Sequence, residues 1–401
     1  MRNRTKYALS ASVTALALVV SACGSSKSGV GSGASSVTSQ PTGTGSRPPS
    51  SAASDQFTIA KGSPLAAPGS ATAPEWVGQS SIPKNEPDMN GDGAVSIGII
   101  TSGDTTDGTY YQSVADAAHA AAAKYGWRVS VQDKVPVAQA LTAAENLCRQ
   151  KVDMVIIGDG QLAQGVNAAK ESVCKSTFFY LQGGFGSPTQ DATFTQSFDV
   201  GLGYNYVAGV AAGTYMKANK INKAGFIAGL AASFNTATGA VFKKGVQAAN
   251  PGADVIATYT GDQGDVGKVV AAFNAQKSQG IGLVYPYFGA PTIAVAKQAN
   301  SAKIPVIGGP IQFCDSTSPS YLASVVFAPG YYLAPLLDEF AQGKLPLGAT
   351  RNWRLGVDPV PLVQPCTSAG SAQSAMQAAI KDVTQQINSG AIDPVKLGTG
   401  S

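Results

Sequence analysis

From Val95 onward, short apolar runs alternate with longer stretches whose apolar residues recur every three or four positions. The runs, rich in β-branched residues and bounded by Gly, Pro, Asn and Asp, read as buried strands; the stretches between them read as amphipathic helices. The first run, 95–100, leads into a loop of small residues and two carboxylates, 101–108, and then an Ala-rich helix over 109–125. Strands at 128–132, 154–157, 177–181 and 193–198 alternate with helices at 137–150 and 162–172, and a helix over 204–218 closes this series. After Asn219 the alternation begins again, with strands at 224–228, 254–259, 281–284 and 306–307 and helices at 234–249, 265–278 and 291–299. The tail carries a strand at 322–327, a helix at 331–342, a short two-stranded segment within 354–363 and a last helix over 371–388.

Repeated strand–helix–strand units demand parallel sheets with right-handed crossovers. Two such series in one chain imply an α/β fold of two doubly wound Rossmann-like lobes rather than one long sheet. The expected first lobe is 94–200, completed by 328–353 and part of the tail; the second is 201–327, and 364–401 is a terminal helix and tail. Crossings near Asp199, Phe327 and Val363 would make a multi-strand hinge, a layout suited to closure of two lobes around a ligand.

The chain before Val95 is of another kind. Residues 1–22 are a basic start, an apolar run at 8–20 and then small residues, the plan of an export signal. The apolar run is too short to span a bilayer comfortably as a mature helix. Val20-Ser21-Ala22-Cys23-Gly24 resembles a bacterial lipobox with Val in the place usual for Leu, which implies cleavage before Cys23 and acylation there; an ordinary signal with a chance cysteine is the plain alternative. Residues 23–93, dominated by Ser, Gly, Pro, Thr and Ala, read as a tether, with 82–93 as a lead-in onto the body. The expected location is the outer face of the cell membrane.

Composition narrows the chemistry. Only 13% of residues are charged, and the formal charge of +4 falls to +1 without Arg2, Arg4 and Lys6. That leaves no basic field for nucleic acid. A single histidine, His119, on a helix with no thiol nearby, leaves little for a metal, and no cofactor is implied. Without Cys23 there are four cysteines, and an even number in an exported chain suggests two disulfides. Three pairings are open; Cys148–Cys174 and Cys314–Cys366 are preferred because each joins neighbours within one lobe. There is no G-x-S-x-G elbow and no Walker A, and Gly201-Leu202-Gly203 does not follow a dinucleotide fingerprint.

Ligands of such sheets bind beyond the carboxyl ends of the strands, so the loops there hold the candidates. Asp104 and Asp107 suit vicinal hydroxyls, although Asp is also a favoured helix cap. Tyr110 and Tyr111 are neighbours about 100° apart on a helix, so one is expected to face the cleft and the other to pack. Asp159 closes the third strand, where a plain Asp-Gly turn is the alternative, and Phe185 follows the fourth. In the second half, Phe234 and Asn235 open a helix, which Asn235 could simply cap. Tyr285 and Phe288 belong to an aromatic loop, Tyr285-Pro286-Tyr287-Phe288-Gly289. Gln312 and Asp315 offer polar groups, with Cys314 between them pointing first to a structural bridge.

Asp107-Gly108-Thr109-Tyr110-Tyr111-Gln112-Ser113, the segment FDVGLGYNYVAGVAAGTYM at 198–216, KAGFIAG at 223–229 and the run 239–261, taken in that order and spacing, resemble the basic membrane protein family of nucleoside-binding lipoproteins. The resemblance spans roughly 95–388 and implies a type I periplasmic binding protein that delivers a purine nucleoside to an ABC importer. It makes Tyr110 the aromatic that stacks on a base, Asp107 the acidic residue before it, Asp159 a carboxylate for the base edge and Phe234 the opposing aromatic. Tyr111 stands where the family usually has Asn. Pro310, in Ile307-Gly308-Gly309-Pro310-Ile311-Gln312, stands where a ribose-gripping acid is usual. The expected function is therefore a monomeric solute-binding lipoprotein, not an enzyme. Its partners would be a small polar ligand, nucleoside-like or sugar-like, the permease subunits of an ABC importer, and the membrane through Cys23. A tethered sensor or interaction protein without transport, and a glycoside- or nucleoside-hydrolysing enzyme, are the alternatives.

Overall fold

The structure is a computed structural model that describes residues 73–400 apart from Gln79 and Val200. The export signal, Cys23 and most of the expected tether lie outside the described residues. In chain order the strands are β1 (Trp76–Val77), β2 (Ser96–Ile100), β3 (Arg128–Gln132), β4 (Met154–Ile157), β5 (Phe178–Gly183), β6 (Thr195–Asp199), β7 (Lys223–Ala228), β8 (Asp254–Tyr259), β9 (Leu283–Tyr287), β10 (Ile307–Gly308), β11 (Ala323–Val326), β12 (Thr350–Trp353) and β13 (Leu362–Pro365). The helices are α1 (Tyr110–Tyr125), α2 (Ala140–Arg149), α3 (Gly201–Ala218), α4 (Ser233–Ala249), α5 (Val266–Ser278), α6 (Pro291–Ser301), α7 (Gly330–Ala341), α8 (Gln373–Asn388) and α9 (Pro394–Thr399).

The first lobe is built on a seven-stranded sheet in the order β1-β12-β6-β5-β4-β2-β3, parallel except for the edge strand β1. Successive strand residues point to opposite faces. Ile97, Ile99, Met154 and Ile156 therefore meet Val114 of α1 and Leu333, Leu336 and Phe340 of α7. Ile100, Val155 and Ile157 meet Leu147 of α2 and the short helix that follows β4. With both faces covered, the central strands β2, β4 and β5 can be apolar on both sides, which is why their runs show little polar alternation.

The second lobe has two three-stranded sheets, β8-β7-β9 and β10-β11-β13, joined by a parallel bridge between Val284 and Val306. Phe226 and Tyr285 face α3 and α4, whereas Ile227 and Val284 face α5 and α6. Helix α3 is buried on nearly every side, as its mostly apolar sequence requires. It lies so close to α4 that a β-carbon on Gly209 would stand 2.3 Å from the Phe242 carbonyl oxygen, and one on Gly245 2.2 Å from that of Tyr206. The last helices, α8 and α9, pack on this side as well: Met376 and Val383 join the core of the second lobe, and Leu397 packs against it. The chain passes between the lobes after Asp199, again between β11 and α7, and a third time between β12 and β13.

Several local expectations are corrected. The stretch expected as an α-helix over 162–172 is a 3-10 helix, Gly160–Lys170. Leu162, Gly165 and Ala168 are all buried, and residues three apart eclipse one another in that tighter helix; eleven residues are too few for an apolar pattern to separate a period of 3 from 3.6. The segment 354–363 is no strand pair, because β12 and β13 add to different sheets. Strand β9 runs three residues beyond 284 and takes Tyr285 with it. The tether expected to continue to residue 93 is already laid on the first lobe from β1. Trp76 donates its indole N–H to Glu339 at 2.8 Å, the Arg351 guanidinium lies 4.0 Å from the Trp76 ring centre, and Arg351 pairs with Glu339 at 2.7 Å.

Two disulfides join Cys148 to Cys174 and Cys314 to Cys366. The first closes a loop with a sequence separation of 26, which constrains the unfolded chain. Replacing both Cys148 and Cys174 by Ala is expected to cost about 3 kcal/mol, read as a lower denaturant midpoint at an unchanged native circular dichroism spectrum.

Candidate functional site

The carboxyl ends of the sheets of both lobes face a cavity of about 240 Å3. Three sets of side chains close it. Tyr110, Tyr111, Asp159, Gln182 and Phe185 come from the first lobe; Phe234, Thr238, Tyr287 and Phe288 come from the second. Asp199, Tyr204, Pro310 and Phe327 line it from the hinge side.

The start of α1 points at this cavity, so its first two side chains flank the opening, and both Tyr110 and Tyr111 line it. The expectation that only one would do so applies to the middle of a helix, not to its tip. The Tyr111 ring lies over Gly103, where a β-carbon would come within 2.1 Å of it, and its hydroxyl reaches Ser102 Oγ at 3.2 Å. The two tyrosine rings meet edge to face with centres 5.2 Å apart.

Asp159 is buried and takes three hydrogen bonds: from the Ser102 backbone N–H at 2.9 Å, the Ser102 hydroxyl at 3.1 Å and the Gln161 backbone N–H at 3.0 Å. These cap the 3-10 helix and tie the loop after β2 to the loop after β4. Burial still holds the Asp159 carboxyl above the usual carboxylate range. Asp199, at the end of β6, is 7% exposed. Burial pushes it up to about 7, with the Tyr332 hydroxyl offsetting part of that rise. Beside it the ring of Phe327 is stacked between Tyr204, 4.9 Å away, and Tyr287, 5.6 Å away. None of the residues lining the cavity is Lys, Arg or His.

Six expected site residues lie off the cavity. Asp104 faces solvent and pairs with Lys134 at 2.8 Å. Asp107 spends its carboxylate on its own helix, accepting from the Thr109 backbone N–H at 2.8 Å, the Thr109 hydroxyl at 2.7 Å and the Gln112 backbone N–H at 3.0 Å. It touches the second lobe nonetheless: a β-carbon on Gly289 would stand 2.6 Å from Asp107 Oδ2 and 2.7 Å from Thr109 Oγ1. Asn235 is buried and donates to the Leu230 carbonyl at 2.8 Å, pinning the loop before α4. Tyr285 is a core residue whose hydroxyl is 2.9 Å from Asn205 Oδ1. Gln312 braces a disulfide loop, donating to Gln364 at 2.8 Å and accepting from the Cys314 backbone N–H at 3.0 Å. Asp315 is exposed and does not line the cavity either.

Asp199, Tyr204, Tyr287 and Phe327 are the residues that sequence reasoning missed. Asp199 obeys the same rule that singled out Asp159, an acid closing a buried strand. Tyr287 ends β9 in register with Tyr285 and extends beyond the helices that cover it. Tyr204 and Phe327 carry no local signal, because the hinge brings them together from 123 positions apart.

A family model described as "Bmp: ABC transporter substrate-binding protein PnrA-like" matches residues 94–393. No match to a curated protein is found. Among solved structures, a solute-binding protein of an ABC transporter system from Conexibacter woesei is similar at 20% identity and a TM-score of 0.56, covering 75% of this chain and 98% of its own. One from Aeropyrum pernix is similar at 15% identity and a TM-score of 0.61, covering 75% and 92%. A transcriptional activator of the comK gene from Bacillus halodurans is similar at 14% identity and a TM-score of 0.54, covering 77% and 99%. Identities this low establish a shared fold, which by itself does not fix a function.

Asp199 makes the empty protein's stability depend on pH. Its carboxyl titrates near 3.8 when unfolded and about 7 when folded, so between those values the folded chain keeps a proton that the unfolded chain has released. Stability falls as pH rises through that window. Asp199→Asn removes the effect. The variant is expected to match the parent near pH 3.5 and to exceed it at about pH 8 by up to about 4 kcal/mol, at ~1.4 kcal/mol per pKa unit, measured by denaturant titration at both values.

Proposed function

The chain belongs to the Bmp family of PnrA-like ABC transporter substrate-binding proteins, and from that premise we propose that it is an exported lipoprotein, anchored by acylation of Cys23, which closes two lobes on a small polar ligand with a flat ring and presents it to an ABC permease. Members of this family act outside the cytoplasm and bind rather than transform their substrates. Among the described residues no helix is long and apolar enough to cross a membrane.

One observation carries the ligand reading. The cavity lies at the carboxyl ends of both sheets, beside three chain crossings, and is walled by aromatic rings with two inward carboxylates. Apolar and aromatic walls with a few convergent polar groups are what a small-molecule site requires. Aromatic faces favour flat rings or the apolar faces of sugars. Asp159 and Asp199 are suited to accept hydrogen bonds from ligand hydroxyl or N–H groups. Asp199 would do this in place of the acid that Pro310 replaces. Nucleoside-like and sugar-like molecules both meet this description.

The close fit of Gly289 against Asp107 and Thr109 joins a loop of one lobe to a loop of the other at the edge of the cavity. It would act as the closing contact. That role favours a residue without a side chain, since anything larger would hold the lobes apart.

Thermal-shift measurements on the purified full chain with nucleosides, nucleobases, pentoses and hexoses test the ligand reading. A true ligand at a hundred times its Kd stabilises by about 2.7 kcal/mol; an unchanged Tm with every compound overturns these ligand classes. Gly289→Val is expected to weaken that ligand at least tenfold, about 1.4 kcal/mol, without loss of fold. For the anchor, mass spectrometry of membrane-extracted protein should find diacylglycerol on Cys23; a free Cys23 on soluble protein would refute it.

A further inference from the structure

The charges around the cavity do not balance. Asp159 and Asp199 both face it, and no lining residue carries a positive charge. The hydrogen bonds to Asp159 come from Ser102 and Gln161, which are neutral donors and supply no counter-charge. Two basic groups of the first lobe have acidic partners away from the cavity. Arg351, whose register partner on β6 is Ser197, pairs with Glu339 and lies against Trp76; Lys134 pairs with Asp104 at the surface. A buried carboxylate without a counter-charge is costly, and a binding site tolerates that cost when the ligand completes the pair. The walls fit the same charge. The rings of Tyr110, Tyr204, Tyr287 and Phe327 cluster at the hinge with neighbouring centres 4.9 to 6.2 Å apart. Aromatic faces attract cations through their quadrupoles, most of all where water is excluded, and cages of such rings are a recurring means of holding quaternary ammonium groups.

We propose that the ligand of this cavity carries a positive charge: a small organic cation, an amine, quaternary ammonium or cationic heterocycle, whose charge lies beside Asp199 and Asp159 against the surrounding rings. This rests on the solute-binding reading and narrows its ligand class. Asp199 gives the site its charge selectivity; Phe327, covered on both faces by Tyr204 and Tyr287, holds those two rings in place, and they supply the rest of the attraction. In the empty site a proton takes the cation's place, consistent with a carboxyl held near 7 by burial.

Isothermal titration of the purified full chain with choline, tryptamine, thiamine and N-methylnicotinamide, beside neutral adenosine, inosine, uridine, ribose and glucose, separates the two claims. At least one cation is expected to bind more tightly than any of the neutral compounds. Asp199→Asn, checked for fold by circular dichroism, should weaken that cation at least about tenfold and weaken any neutral compound that binds by less. Phe327→Leu should weaken it several-fold. Binding of neutral compounds alone, or of a cation with undiminished affinity after Asp199→Asn, overturns the cation inference while the solute-binding reading stands. No binding by any compound, with no small molecule seen on the protein by native mass spectrometry, overturns both.

Discussion

A parallel sheet that is apolar on both faces must be covered on both. In this chain the covering is complete: α1 and α7 lie against one face of the first sheet, and α2 with the 3-10 helix lies against the other. The second lobe repeats the arrangement with α3 and α4 opposite α5 and α6. Once the faces are closed, the polar groups with room to meet a ligand are those at the strand ends. There the loops after β2, β4, β5 and β9 leave the packed layers, and their side chains are free to meet something other than core. The position of the cavity follows from that constraint before any particular residue is considered.

The hinge turns two such edges into one site. Asp199 stands at the first crossing and Phe327 at the second, and the stack of Tyr204, Phe327 and Tyr287 ties both to the second lobe. The residues that connect the lobes thus also line the cavity. On the proposed reading a ligand that engages Asp199 would act where the chain crosses between the lobes, and binding and closure would be linked through the same side chains. Across the cleft, Asp107 meets Gly289 although it lines no part of the cavity. Its carboxylate is consumed by the first turn of α1, which fixes the loop that must meet the other lobe.

The two inward carboxylates are held differently. Asp159 is rigidified by three donors and fastens two loops of the first lobe together, whereas Asp199 has the Tyr332 hydroxyl beside it and otherwise faces aromatic rings. A firmly held acid beside a loosely compensated one gives the cavity a fixed anchor and a group whose charge depends on what enters.

Sequence alone determined the elements and the class of fold. β-branched runs bounded by turn residues gave most strands near their places, though not β1 or β12, and the two series of strand–helix units gave two lobes; of the three open cysteine pairings, the preferred one is the one observed. It also located the loops of the site, because the carboxyl ends of strands can be read from the order of elements; Tyr110, Tyr111, Asp159, Phe185, Phe234 and Phe288 all lie at the cavity. Which neighbour turns inward was decided by tertiary structure. Tyr285 and Tyr287 share a strand and a face, and only the reach of the covering helices makes one core and the other wall. Asp104, Asp107, Asn235 and Gln312 have the chemistry of ligand groups, but nearby backbone and side-chain partners claim them first. Asp199, Tyr204 and Phe327 come together only when the chain crosses between lobes. A sequence records which groups are present and their local periodicity; which of them remain uncommitted depends on distances set by packing between segments far apart in the chain.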